Sequence, residues 1–223
     1  MPCPVDPNDL AGACGHRRGS APHAIIHPNV VRVLGVILDH PNFLAMVMEL
    51  ADLGSLRQML DDDGERIRSQ PALQLSIAHD ICAGMAHLHA KKPKPIMHND
   101  LKSSNILLDG EGYVRVTDFN VAKLLDERRT FSMKGTLFCM APEVILKKGH
   151  DASADFWSYG VLIYELLTGG PPFYSSDKQE LKRQILGMDP RRFNLAFPPD
   201  MPTACRMLLS QLLVREPRLR LGA

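Results

Sequence analysis

The sequence predicts a segregated α+β fold, a few short strands followed by a body that is mostly helix. Three observations carry this. Two short stretches rich in Val, Leu and Met lie at residues 30–36 and 43–50. Further on, Leu73, Ile77, Ile81, Met85 and Leu88 recur at spacings of three and four, the repeat of one helix face. Residues 154–168 are apolar almost all round, which implies a helix buried on most sides.

The elements follow in order. Residues 1–24 are rich in Pro, Gly, Ala and Arg, show no period of 2 or 3.6, and read as loop or disorder. Segments 30–36 and 43–50 flank Asp39-His40-Pro41-Asn42 and read as two strands joined by a turn. Asp52-Leu53-Gly54 introduces a short helix over 55–60. Pro71 suits the first turn of the periodic helix, 71–88. Ile106-Leu107-Leu108, Asp109-Gly110 and residues 113–117 form the pattern of a small hairpin. Residues 118–134 are polar and irregular. The run Gly169-Gly170-Pro171-Pro172 stops the apolar helix, and two more helices are predicted over 178–185 and 203–213.

Composition narrows the class. The 223 residues suffice for one sizeable core and a fragment of a second. A net charge of +1 argues against nucleic acid and against an anionic membrane as partner. Cys3, Cys14, Cys82, Cys139 and Cys205 are scattered without a paired spacing, against a disulfide framework or zinc site and in favour of a reducing, cytoplasmic setting. The richest apolar run, 161–167, contains Tyr164 and Glu165 and is too short to span a bilayer. The start of the chain has no apolar signal core.

Four strings carry chemistry: HNDLKSSNILLD from His98, DFN from Asp118, MAPE from Met140 and DFWSYG from Asp155. Each alone is weak. A single Asp100 or Lys102 reads as a solvated loop charge, a single Asn105 as a turn or cap residue, a single Asp118 as a strand-end cap. Their order and spacing, however, resemble the catalytic loop, metal loop, activation-segment end and central helix of a eukaryotic protein kinase of the serine/threonine type. The resemblance runs from about Ile26 to the last residue.

That resemblance implies a protein kinase-like fold, mainly the helical C-terminal lobe with a remnant of the N-terminal sheet. Residues 1–25 are then an irregular segment and 26–223 a partial kinase domain, with 26–51 the sheet remnant and hinge and 52–223 the helical lobe. It implies ATP and Mg²⁺ as cofactors and a protein substrate with a Ser or Thr hydroxyl as partner. Asp100 would orient the hydroxyl, Lys102 would stand by the migrating phosphate, and Thr136 would bridge the two. Asn105 and Asp118 would offer hard oxygens to the metal. Glu49 and Ala51, in the hinge-like Met48-Glu49-Leu50-Ala51, would bind the adenine edge through backbone groups, above Leu107. Leu56, Leu162 and Leu166 join Leu107 in one apolar column, and His98 and Phe119 belong to a second. Asp155 would hold the catalytic-loop backbone, and Glu143 would pair with Arg220.

Departures from the family pattern are as telling. The first lysine is Lys91 and the first glutamate Glu49, so neither the phosphate-gripping lysine nor its glutamate partner precedes them. Gly12, Gly15 and Gly19 lack the G-x-G-x-x-G spacing, and Arg17 and Arg18 lie where the glutamate is expected, ahead of His27-Pro28-Asn29. Asn99 replaces the arginine that binds an activation-loop phosphate, with Ser132 and Lys123 at the phosphosite and a secondary ligand. Asn120 replaces a glycine. Of the three positions that are acidic in kinases preferring basic substrates (Ser55, Ser104, Glu165), one is acidic. Residues 155–180 and 212–222 resemble cyclic-nucleotide and S6-type kinases, while KSSN resembles the tyrosine-kinase-like group. Two functions are therefore expected: an ATP-dependent kinase represented by an incomplete chain, or a catalytically inactive kinase-like scaffold.

Overall fold

Val33–Ile37 (β1) and Ala45–Met48 (β2) pair antiparallel, with Val33 opposite Met48, as the two apolar stretches predict. A computed structural model describes residues 25–37, 45–93, 95–119, 136–187 and 197–222. The expected turn at 39–42, the glycines before residue 20, Arg17, Arg18, Asn120, Lys123 and Ser132 lie outside the described residues. Ile106–Leu108 (β3) and Val114–Val116 (β4) form a second hairpin in the predicted place. The two ladders are separate two-stranded sheets. The His27–Val31 turn ties itself to β4: the Val31 amide donates to the Val116 carbonyl and the Val116 amide to the Asn29 carbonyl, both at 2.9 Å.

Helix α1 spans Leu56–Arg68, longer than the expected 55–60. Its start is a capping box: the Ser55 hydroxyl accepts from the Gln58 amide at 3.3 Å and the Gln58 side chain accepts from the Ser55 amide at 2.9 Å. The run Asp61-Asp62-Asp63-Gly64 reads locally as a breaker. The chain instead kinks at Asp63 (φ −144°, ψ 36°) and continues, because Leu60, Gly64 and Ile67 are buried on the body. Tertiary burial outweighs local propensity here.

Pro71–His89 (α2) follows, with Ile77, Ile81, Met85 and Leu88 buried along the predicted face. Gly84 on α2 is a close-approach site: a Cβ there would lie 2.5 Å from the Asn29 carbonyl oxygen, so only glycine lets the His27–Val31 turn seat on the helix. Pro142–Ile145 (α3) is short. Ser153–Thr168 (α4) is the central helix, buried along nearly its whole length, with Trp157 fully buried and stacked on Phe173 at 5.8 Å between ring centroids. Gly169, at φ 85°, caps it in the left-handed region. Lys178–Leu186 (α5) and Thr203–Leu212 (α6) complete the body within a residue of the predicted ends. Among the described residues no helix is long and apolar enough to cross a membrane, and Cys82, Cys139 and Cys205 are free thiols.

The junction between turn and helix carries a pH dependence. His27 stacks on His87 of α2 with centroids 4.7 Å apart. Burial, then the charge of Lys91, holds both imidazoles below their usual 6.5; each also faces the other, and the His27 Nδ1 accepts from the Asn29 amide. Fully buried His98 shifts the same way. The folded state thus binds fewer protons than the unfolded chain below 6.5. Stability is complete above that value and declines as pH falls through it toward the folded-state pKa values. Depressed carboxylates such as Asp151 act only below 3.8, outside this window. The melting temperature is expected to drop between about pH 7.5 and about pH 5.5, and His87→Phe to flatten the curve by keeping a stacked ring without a titration. A pH-independent melting temperature over that range would contradict this.

Candidate active site

The site is built outward from Asp155, a nearly fully buried carboxylate in the first turn of α4. Its Oδ2 accepts from the His98 amide and its Oδ1 from the Asn99 amide, both at 2.8 Å. The His89 Nε2, at the end of α2, lies 2.8 Å from Oδ2. Three donors satisfy a charge that would otherwise be costly to bury. The loop of residues 98–100 is thereby fastened to α4, through a carboxylate that α2 also holds. Burial keeps the His98 imidazole neutral, which leaves its Nδ1 to accept from the Asp100 amide at 3.3 Å.

Four predicted residues meet at this loop. Lys102 Nζ donates to Asp100 Oδ2 at 2.7 Å and to Thr136 Oγ1 at 3.2 Å. Asn105, in the 3₁₀ turn Ser103–Asn105, donates through Nδ2 to the Asp100 carbonyl at 2.8 Å and to Asp100 Oδ2 at 3.3 Å. Thr136 therefore touches Lys102, and Lys102 makes the link to Asp100. The other carboxylate oxygen, Asp100 Oδ1, is buried and has no hydrogen-bond partner among the described residues. A buried, unsatisfied carboxylate oxygen is expensive and stays open to a further donor.

Asp118 stands beside this cluster without joining it. The Thr117 amide donates to the Asn105 carbonyl at 3.0 Å, which fixes the end of β4 next to Asn105. Asp118 then presents an exposed carboxylate from a backbone at φ 57°. Among the described residues no hydrogen bond connects it to Asp100, Lys102 or Asn105. Asn99 (φ 64°) and Asp118 are two of the three described non-glycine residues with positive φ, so sparsely populated backbone concentrates here.

The segment expected as a hinge follows β2. The Glu49 amide donates to the Arg32 carbonyl at 3.0 Å, and Glu49 Oε1 accepts from the Arg32 amide at 2.9 Å. Among the described residues no backbone hydrogen bond uses the Glu49 carbonyl or the Ala51 amide. Leu107 is half-buried on β3, while Leu56, Leu162 and Leu166 are fully buried behind it.

At the far end of the body, Arg220 grips Glu143 in a fork, Nη1 to Oε1 at 2.8 Å and Nη2 to Oε2 at 3.1 Å. Against this geometry, the model of the protein kinase domain matches residues 20–223. The chain belongs to the protein kinase family.

Individual relatives agree with that membership. The chain is 37% identical over 207 residues to the human "cAMP-dependent protein kinase catalytic subunit PRKX", covering 93% of this chain and 54% of that one. It is 35% identical over 201 residues to "Mitogen-activated protein kinase kinase kinase 3" of Arabidopsis thaliana, 88% of this chain and 30% of the relative. To "Serine/threonine-protein kinase AtPK2/AtPK19" of the same plant it is 43% identical over 145 residues, 65% of this chain and 29% of the relative. The chain thus spans about half or less of the length of these relatives.

Sequence reasoning missed several partners of this candidate site. Glu165, expected as the one acidic group at a substrate-facing position, is buried, and its Oε1 accepts from Arg57 Nη1 at 2.7 Å. Arg57 also binds Asp61. None of the three positions then offers a free carboxylate: Ser55 caps α1, Ser104 is a serine, and Glu165 is spent on Arg57. His89 contacts Asp155, and His150 contacts Asn99 in the 98–100 loop. A histidine in a last helical turn suits the helix dipole in any case, so nothing local marks His89 as a partner of Asp155.

Proposed function

We propose that these residues form the catalytic body of an ATP-dependent protein serine/threonine kinase. The observation that carries the reading is the Asp100 carboxylate, one oxygen held by Lys102 and Asn105 and the other buried without a partner. Such an oxygen can accept the proton of a substrate hydroxyl as it attacks a phosphoryl group. Lys102 keeps an ammonium at the same point and is steadied by Thr136. Asn105 has its amide nitrogen committed to Asp100, which leaves its oxygen for a cation, and Asp118 adds an exposed carboxylate nearby. This hard-oxygen donor set fits Mg²⁺. The metal, when bound, would neutralise charge on the phosphates. The Glu49 carbonyl and Ala51 amide would read the adenine edge, with Leu107 beneath. The substrate is a protein Ser or Thr hydroxyl, and the setting is intracellular.

Within the 223 residues no lysine occurs before Lys91. Residues 1–223 alone are therefore expected to transfer phosphate negligibly, because the lysine that holds the α- and β-phosphates is needed for the reaction. A chimera that adds the glycine-rich strands, lysine and regulatory helix of a related kinase is expected to bind ATP and phosphorylate a Ser/Thr peptide. Initial rates with radiolabelled ATP and Mg²⁺ check both halves. A folded chimera with no transfer would leave the scaffold as the function.

A further inference from the structure

Asn99 stands where the family resemblance expects an arginine, and it has found a different partner. Its Oδ1 accepts from His150 Nε2 at 3.0 Å, across 51 residues of sequence. His150 is half-buried and sits just ahead of α4, between Gly149 at φ 78° and Asp151, whose Oδ1 accepts from the Ser153 amide at 2.9 Å. The turn that presents the imidazole is thus itself anchored. The Asn99 amide, meanwhile, is held by Asp155. The Asn99 Nδ2 is buried with no partner among the described residues, so His150 supplies the side-chain tether described for this residue.

We propose that His150 is a positioning residue for Asp100. It fixes the Asn99 side chain while Asp155 fixes the Asn99 amide, so the residue that precedes Asp100 is held at two points. The device rests on the kinase reading for its purpose and adds its regulation: the loop is ordered by a hydrogen bond between imidazole and amide inside the chain, where an arginine would wait for an anionic phosphate. Asparagine also tolerates the φ of 64° that this turn requires better than most residues. Because an amide oxygen can only accept, the His150 Nε2 must carry the proton whether the ring is neutral or charged.

The test uses isotope-labelled residues 1–223. Long-range ¹⁵N correlation is expected to show His150 as the Nε2–H tautomer. His150→Ala is expected to speed amide exchange at Asn99 and Asp100 by about tenfold, the size of one net hydrogen bond, with the α2 amides unchanged. Asn99→Gly, which keeps the φ without a side chain, should give the same acceleration, and the double variant no more than either alone. His150→Gln, whose amide can still donate, should restore slow exchange. Unchanged exchange in His150→Ala, additive single variants or a silent His150→Gln would overturn the proposal. If His150→Ala does not fold, the tautomer decides: an Nδ1–H ring overturns it and an Nε2–H ring supports it. A clamp that passes these tests beside a chimera that transfers no phosphate upholds the loop device and removes the kinase reading.

Discussion

In the active chimera, Asp100→Asn is expected to lower phosphoryl transfer roughly 10²- to 10⁴-fold, the range for removing a positioned general base. The substitution is nearly isosteric. Its remaining oxygen can still accept from Lys102, so the local geometry should survive. What disappears is the unpaired carboxylate oxygen, replaced either by a nitrogen that cannot accept a proton or by an oxygen without the charge. Nucleotide affinity should stay within about threefold, because the adenine and phosphate contacts lie elsewhere, and a loss confined to turnover marks an interaction made in the transition state. Rates at saturating ATP, together with nucleotide titration, separate the two effects. An unaltered rate would mean that Asp100 is not the acceptor. An ordinary rate from unmodified residues 1–223 would instead mean that a residue such as Arg17 or Arg18 replaces the missing lysine.

Much of the fold was legible because its signals are periodic and local. The α2 face from Leu73 to Leu88 needs only a spacing of three and four, and the burial of α4 needs only apolar residues all round. The end of α1 was not legible: the expected helix over 55–60 stops short of Arg68, and the burial of Gly64 and Ile67 shows why the helix continues. At the site, Asp100, Lys102, Asn105 and Thr136 were legible from order and spacing, and the structure brings them into direct contact. Their partners were not. His150 reaches Asn99 and Arg57 reaches Glu165 across 51 and 108 residues, and neither pair has a spacing rule. Glu165 shows the cost of reading charge without burial: the same carboxylate is a docking group if exposed and an internal counter-ion here.

Arg220→Ala is expected to destabilise the fold by about 3–5 kcal/mol, the usual cost of breaking a buried ion pair from one side. The Arg220 side chain has 0% exposure and that of Glu143 7%, so water cannot replace the lost partner. The guanidinium also donates to the Ser153 carbonyl at 2.7 Å and the Val214 carbonyl at 3.0 Å, and lies over the Trp157 ring 5.4 Å from its centroid. One residue thus joins α3, the start of α4 and the segment after α6. Truncation would leave Glu143 charged and buried beside a void. For a chain of this size the loss corresponds to roughly 10 °C in melting temperature. Arg220→Lys keeps the charge but cannot make the two-pronged contact, and most of the loss should remain. Replacing both partners, as Glu143→Leu with Arg220→Met, should recover much of the stability, because no uncompensated charge is then left inside. Thermal and urea unfolding of the four proteins would measure this. If the double variant is as unstable as Arg220→Ala, the unpaired Glu143 charge is not the cause, and the loss must come from the carbonyl and Trp157 contacts that both variants lack.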